Sequence, residues 1–100
     1  MLIVLGTIVV EPDRRERVVA DMTARLAEIT PWRNGAIEFR LMLSTSEAGT
    51  IHVFQTWPDE ARFDEWGRDE GHIRFQQEFA ARAKSVSSVR YVGEPLSPPL

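Results

Sequence analysis

The segment from residue 2 to residue 10, Leu-Ile-Val-Leu-Gly-Thr-Ile-Val-Val, narrows the possible folds of this chain more than any other feature. It is rich in β-branched residues and apolar at both odd and even positions, which predicts a β-strand. Successive side chains of a strand point to opposite faces of the sheet, so this strand must be covered on both faces. In a chain of 100 residues, that cover has to come from a few helices or from a second molecule.

A helix and a β-hairpin are predicted after this strand. Apolar residues recur at spacings of three and four over about 17 residues, which indicates an amphipathic helix that ends at Thr30-Pro31. Strands are then predicted over residues 36–43 and 50–57, joined by a short polar loop. The apolar positions of the helix are Val18, Val19, Met22, Leu26 and Ile29, and those of the first hairpin strand are Ile37, Phe39, Leu41 and Leu43.

The last part of the chain predicts a broken helix and a fourth strand. Pro58 is favoured at the first position of a helix, and Gly67 or Gly71 interrupts that helix before a further one over residues 72–84. A strand over residues 86–93 follows. The order β-α-β-β-α-β predicts an α+β, ferredoxin-like fold with a four-stranded antiparallel sheet and the second helix broken in two. We expect one domain over residues 1–94 and an extended, Pro-rich tail over residues 95–100.

The apolar content of the sheet predicts a homodimer. Two helices cover one face of a four-stranded sheet, yet the predicted strands carry apolar residues on both parities, so the other face would expose them. A second sheet packed on that face is the simplest cover. The parity of Val53, Gln55 and Trp57 should then meet the helices and a pocket, whereas that of His52 and Phe54 should meet the second subunit.

Composition excludes several classes of protein. The net charge is −3 and the basic residues are interleaved with acidic ones, which argues against a nucleic-acid partner. The chain contains no Cys, so disulfides, thiol catalysis and Cys-based metal sites are excluded. The apolar start lacks the basic residues of a signal peptide, and no apolar run approaches the roughly 20 residues that span a bilayer. We therefore expect a cytoplasmic protein that does not bind membranes.

The sequence predicts different roles for the two histidines. His72 begins an apolar helical stripe with Phe75, Phe79 and Ala83, and a titratable ring at a pocket edge suits proton transfer. His52 lies within a strand and is interpreted as a sheet or interface histidine. Neither belongs to an HxH or HExxH pattern, so no metal site is predicted.

A few other side chains are candidates for contact with a ligand. Trp66 lies at the helix break, where its indole either belongs to the core or stacks on an aromatic ligand. Gln55 has the parity of a rare polar group facing the helices, where a buried amide needs a partner. Trp57 ends its strand as an anchor and is included among the expected substrate contacts. Trp32 is a candidate lid, and Asn34 a turn residue.

The chain resembles the antibiotic biosynthesis monooxygenase superfamily, a group of dimeric α+β barrel proteins. The resemblance covers nearly the whole chain and rests on residues 34–39 (Asn-Gly-Ala-Ile-Glu-Phe), 51–57 (Ile-His-Val-Phe-Gln-Thr-Trp) and 58–66, with His72 shortly after. Gln55 stands where the family often has Glu, and Trp66 where it often has His. The haem-degrading branch has Trp at the latter position but also needs Asn and His where this chain has Gly6 and Gln76, so haem degradation is disfavoured.

The resemblance implies oxidation of an electron-rich aromatic, such as a quinol or anthrone, by O2 without a metal, flavin or other cofactor. In that reading His72 is a proton relay, and Trp66 N–H or Gln55 is the donor to the substrate anion. The cavity walls would be Phe75, Phe79 and Met22. Two alternatives remain open at this point, a non-catalytic dimer that binds a small ligand and an isomerase or decarboxylase of the same barrel type.

Overall fold

The computed structural model describes residues 1–29 and 31–94. This part of the chain forms four strands and three α-helices, with single 3₁₀ turns at Pro12–Arg14 and Pro31–Asn34. The predicted tail over residues 95–100 and Thr30 of the predicted helix stop lie outside the described residues. The elements are β1 (Leu2–Val9), α1 (Arg15–Ile29), β2 (Glu38–Leu43), β3 (Thr50–Trp57), α2 (Glu60–Gly67), α3 (Glu70–Arg82) and β4 (Ser85–Val92).

The four strands form one antiparallel sheet in the order β2-β3-β1-β4. The central strand β1 pairs with β3 from Leu2 opposite Trp57 to Val9 opposite Thr50. Its other edge pairs with β4, where Gly6 lies opposite Ser88. The predicted α+β, ferredoxin-like arrangement with a broken second helix is confirmed. In the described part of the chain, no helix combines the length and the hydropathy that a membrane span requires.

Helix boundaries follow the capping residues. Asp59 accepts a hydrogen bond from the backbone N–H of Arg62 at 2.8 Å, so α2 begins at Glu60 and Pro58 lies before the cap. The predicted place of Pro58 in the first turn is therefore wrong. Asp69 caps α3 in the same way, so that helix begins two residues before the predicted start and ends at Arg82.

The strand boundaries differ from the predictions by one or two residues. β1 ends at Val9, β2 begins only at Glu38, and β4 is shifted by one residue to Ser85–Val92. Ile37 and Leu43, which were predicted to lie on one face with Phe39 and Leu41, are exposed, whereas Phe39 and Leu41 are half-buried. They flank the two ends of an edge strand, where the helices above the sheet give little cover.

One face of the sheet is packed against the helices, and we call it the covered face. The predicted parity holds, since Val53, Gln55 and Trp57 are buried there beneath the helices. Burying each large apolar side chain stabilises the fold by roughly 1.5–3 kcal/mol. Buried apolar side chains form two clusters, one of Ile8, Val10, Val18, Met22, Ile51, Val53 and Phe79, and one of Leu2, Val4, Trp57 and Trp66.

The opposite face of the sheet, which we call the free face, carries a group of apolar side chains and has none of the described helices above it. Val89 and Tyr91 on β4 are 50% and 54% exposed. His52 also belongs to this face, where its Nδ1 lies 3.3 Å from Thr7 Oγ1 of the neighbouring strand. Of the other apolar residues of this parity, Ile3, Leu5, Val9 and Phe54 are half-buried, and Met42 of β2 is 40% exposed.

Candidate active site

A cavity of about 230 Å³ lies between the covered face and α3. Its walls are mostly aromatic and aliphatic, and its polar side chains include Gln55 of β3 and His72 and Gln76 of α3. It reaches the edge strand β4, every residue of which is exposed. The apolar lining residues are Val4, Ile8, Met22, Phe39, Val53, Phe63, Phe75, Phe79, Ala80 and Val86, and the remaining ones are Gly6, Thr7, Ser87 and Ser88.

Gly6 provides the space for this cavity. It occupies the covered-face position between Val4 and Ile8 in the middle of β1, where every neighbouring position carries a side chain. A Cβ built there would meet only ordinary contacts, the nearest being Val53 Cβ at 3.5 Å. Glycine inside a strand weakens it, and often marks a place where a ligand approaches the backbone.

His72 is held in place by the break between α2 and α3. Asp69 Oδ2 accepts a hydrogen bond from the His72 backbone N–H at 3.2 Å, which fixes this residue in the first turn of α3. The last carbonyl groups of a helix lack partners within it. One of them, the carbonyl of Trp66, accepts the backbone N–H of Asp69 and lies 3.1 Å from His72 Nδ1.

This contact determines the tautomer of the imidazole. A carbonyl oxygen only accepts hydrogen bonds, so Nδ1 of His72 carries the proton and donates it to Trp66. Burial, which leaves the side chain 4% exposed, lowers the pKa of His72 below its ordinary value, although the Trp66 carbonyl and the Asp69 carboxylate oppose the shift. The ring is therefore neutral at pH 7. Its Nε2 is an unprotonated base with no hydrogen-bond partner among the described residues.

The indole of Trp66 packs against the imidazole of His72. It stacks on the His72 ring with centroids 3.6 Å apart and planes 14° from parallel. The indole is 1% exposed, does not line the cavity, and packs against Trp57 and Phe39. Its Nε1–H is buried and has no acceptor among the described residues. The indole therefore fixes the plane of His72 rather than forming a wall of the cavity.

Gln55 is the second polar group with a fixed orientation. Its side chain is 8% exposed and lines the cavity from β3. The Nε1–H of Trp57, two residues along the same strand face, donates to Gln55 Oε1 at 3.0 Å. This bond satisfies the only polar atom of the indole and the carbonyl half of the amide.

The structure brings five of the seven predicted site residues to the cavity. His72, Gln55, Met22, Phe75 and Phe79 line it. The other two, Trp57 and Trp66, lie behind this layer, because each indole packs wholly into the core. The predicted lid, Trp32, is not among the lining residues; it is exposed and packs edge-on against Phe39.

Sequence reasoning missed Gly6, Phe39, Val86 and Ser88 as lining residues. A glycine within a run of β-branched residues was the available signal for Gly6. At Phe39 the sequence shows only the alternation of apolar and polar residues that is typical of a strand with one buried face. Val86 and Ser88 could not be placed without the strand order, which puts β4 beside β1.

Comparison with known proteins identifies the family to which this chain belongs. A family model described as antibiotic biosynthesis monooxygenase matches residues 1–78. The chain belongs to this family. No curated protein matches its sequence.

Solved structures share the fold at low sequence identity. An antibiotic biosynthesis monooxygenase is 21% identical with a TM-score of 0.79, over 95% of this chain and 100% of that one. A conserved protein from Methanosarcina mazei is 16% identical with a TM-score of 0.81, over 93% and 92%. A mutant of SnoaB, a cofactor-independent oxygenase from Streptomyces nogalater, is 15% identical with a TM-score of 0.73, over 98% and 97%.

Gly6 and Gln76, the two positions at which the sequence resemblance disfavours the haem-degrading branch, both line the cavity. Neither an absent side chain nor an amide matches the donor set for a haem. Among the described residues, no three His, Asp or Glu side chains are placed to hold a metal ion.

Proposed function

We propose that this protein is a cofactor-independent monooxygenase that oxidises a small, electron-rich hydroxyaromatic of the quinol or anthrone type with O2. The observation that carries the proposal is the buried imidazole of His72 at the wall of an apolar cavity, with its Nδ1 3.1 Å from the Trp66 carbonyl. Membership of the monooxygenase family supports it. So does the similar fold of SnoaB, which is described as a cofactor-independent oxygenase.

The first step is removal of the substrate's hydroxyl proton. Nε2 of His72 accepts it, and the Nδ1–H bond to the Trp66 carbonyl stabilises the imidazolium that results. The phenolate remains in a cavity with few polar groups, where an amide N–H donor such as that of Gln55 stabilises it more than in water. An electron-rich phenolate is a good one-electron donor, so the protein needs only to form and orient it.

The second step consumes O2. The phenolate transfers one electron to O2, and the aryloxyl radical and superoxide combine at a ring carbon that is ortho or para to the oxygen and carries a hydrogen. The peroxide oxygen takes the proton back from His72, giving a hydroperoxide. Loss of the hydrogen on that carbon and cleavage of the O–O bond release water and leave a quinone. The substrate loses four electrons and O2 gains four, so one O2 yields one quinone and one water.

The size of the cavity limits the substrate. About 230 Å³ is below the roughly 300–1,000 Å³ that is usual for drug-sized ligands. We therefore expect one or two fused aromatic rings to fit inside, and larger anthrones to project past Val86 and Ser88 at β4. The apolar walls disfavour substrates with additional charged groups.

An oxygen electrode tests the proposal. Protein treated with a chelator is given a panel of single-ring and bicyclic hydroxyaromatics, and oxygen uptake and quinone absorbance are recorded together. Uptake above the protein-free rate, with equal amounts of quinone formed, is the expected result. Absence of uptake across the panel would contradict the proposal, and product formed under nitrogen would point to an isomerase or decarboxylase.

We further infer that the working form is a homodimer whose two free faces pack together. Five apolar side chains, Ile3, Leu5, Phe54, Val89 and Tyr91, lie next to one another on this face, and a contiguous apolar patch of this kind marks a protein–protein contact. A second copy presents the same apolar patch, so a contact of two-fold symmetry buries both patches. Light scattering after size exclusion at micromolar concentration should give twice the mass of one chain; the mass of one chain would contradict the inference.

A further inference from the structure

The pair formed by Gln55 and Trp57 is the second fixed polar arrangement at the cavity. Trp57 is fully buried and makes no contact with the cavity, so its indole has no direct role towards a ligand. Its one polar atom, Nε1, points at Gln55 Oε1 across 3.0 Å. Because the indole of Trp57 is buried in a fixed position, its hydrogen bond restricts the orientation of the Gln55 amide at the cavity wall.

The direction of the constraint follows from the chemistry of the two groups. An indole N–H only donates, so the atom that faces it must be the amide oxygen. The amide nitrogen of Gln55 is thereby turned away from Trp57. Its two N–H groups have no acceptor among the described residues, although the side chain is more than nine-tenths buried at the cavity wall.

We propose that Trp57 is a positioning residue that locks Gln55 as a hydrogen-bond donor into the cavity, where it selects ligands that carry an anionic or carbonyl oxygen. This inference rests on the proposed function and defines which oxygen of the substrate is recognised. The cavity then has one oriented donor, Gln55, and one oriented acceptor, His72 Nε2. A ligand with a single ionisable hydroxyl would give its proton to the imidazole and hold its oxygen towards the amide.

Exchange of Gln55 for Glu, the residue that the family often has at this position, isolates the role of the amide N–H groups. Gln55→Glu keeps the size of the side chain and still accepts from Trp57 Nε1–H, so the core contact survives. It replaces the N–H donors with a carboxylate oxygen, which repels an anion. Hydrogen bonds to charged groups are worth enough that their loss corresponds to about 10- to 100-fold in affinity.

A pair of ligands that are not oxidised measures this selectivity. A nitrophenol, whose anion absorbs at longer wavelength than its neutral form, is compared with nitrobenzene, which lacks the hydroxyl. The ratio of the two dissociation constants reports the recognition of the oxygen alone. In Gln55→Glu the preference for nitrophenolate should fall by at least about tenfold while nitrobenzene binding changes little. The same substitution at exposed Gln77 should leave both unchanged.

A double-mutant cycle separates positioning from simple packing. Trp57→Phe should lower the preference for nitrophenolate severalfold, because the amide is free to turn. In a Gln55→Met background, Trp57→Phe should change the preference no further, whereas a purely structural role would lower binding of both ligands in both backgrounds. This cycle also provides the test if Gln55→Glu does not fold.

The outcomes distinguish the inference from the proposed function. Unchanged preference in Gln55→Glu, or equal effects of Trp57→Phe with and without Gln55, would overturn the role of this pair and leave the oxygenase intact. Failure of the unaltered protein to bind either ligand would overturn both. The expected result is selective loss of nitrophenolate binding in the two single variants of the pair.

Discussion

One histidine lies at each face of the sheet, and the two differ in what surrounds the ring. His72 of α3, on the side of the covered face, is almost wholly buried, with Nδ1 bound to the Trp66 carbonyl and its plane stacked on the Trp66 indole. On the free face, His52 is half-buried beside Thr7 and borders no described cavity. Both residues have an imidazole, but only His72 lies at the helix break, where the Trp66 carbonyl fixes its tautomer. The position at this break is therefore what makes His72 a candidate base.

The largest expected effect comes from exchanging these histidines one at a time. His72→Gln removes the proposed base and should lower kcat by about 10²–10⁴-fold, the range found for general base catalysis. His52→Gln is the matched control, and it should retain the rate if the dimer persists. Equal rates for the two variants in the oxygen electrode would contradict the division between the faces.

The next largest effect separates the two faces on a single strand. Val86 and Val89 of β4 are similarly exposed, at 55% and 50%, but point to opposite faces. Val89→Glu places an unpaired charge in the proposed dimer contact and should raise the dimer dissociation constant by at least about 100-fold. Val86→Glu should leave the dimer intact and weaken ligand binding at the cavity.

Sedimentation and ligand titration of both variants provide the measurement. The prediction is a crossed pattern, with one variant defective in association and the other in binding. If Val86→Glu dissociates the dimer instead, the covered face rather than the free face forms the subunit contact.

A smaller effect is expected from filling the cavity. Gly6→Val puts side-chain atoms into the space that the glycine leaves, with the nearest contact of the new Cβ at an ordinary 3.5 Å. Ligand affinity should fall by about tenfold or more, while the unfolding temperature stays level or rises, because glycine inside a strand costs about 0.5–1 kcal/mol relative to alanine. Gly93→Val, at a position with no neighbour within 4 Å of the added Cβ, is the control. Unaltered ligand affinity in Gly6→Val would place the binding site elsewhere.

The smallest effect is the pH dependence of His72. Its pKa is lowered in the folded chain by burial, so the neutral base persists below the ordinary value of 6.5 and kcat should decline only in more acidic solution. The unfolded chain binds this proton at higher pH than the folded chain does. Folding stability therefore decreases as pH falls from 6.5 towards the folded pKa, and is unaffected by this group above 6.5.

Thermal unfolding between about pH 8 and pH 5 measures this linkage. His72→Gln should remove part of the loss of stability at acidic pH, and His52→Gln provides the comparison. A steeper acid loss in His72→Gln would mean that protonation of the buried ring stabilises the fold, which contradicts its lowered pKa.

Much of this arrangement was predictable from the sequence because it depends on periodicity. Alternation in β3 placed Gln55 on the covered face and His52 on the free face, and the helical spacing of His72, Phe75 and Phe79 placed them on one stripe. These predictions rely on local geometry, which is the same in every sheet and helix.

What could not be predicted depends on contacts between elements. The tautomer of His72 follows from a carbonyl that Trp66 presents only because α2 ends there, and the lining of the cavity by Val86 and Ser88 depends on β4 lying beside β1. The two tryptophans also looked like ligand contacts, since an indole suits a cavity wall and a core equally well. Only the packing distinguishes the two, and here it buries both rings behind the residues that line the cavity.

Oxidation in labelled oxygen tests the central claim most directly. The protein is given a bicyclic hydroxyaromatic under heavy-isotope O2, and the quinone is reduced at once, before its carbonyl groups exchange with water, and analysed by mass spectrometry. The account predicts one labelled oxygen atom in the product and its loss in His72→Gln. A product that carries no label, or label incorporated at the same rate without His72, would contradict it.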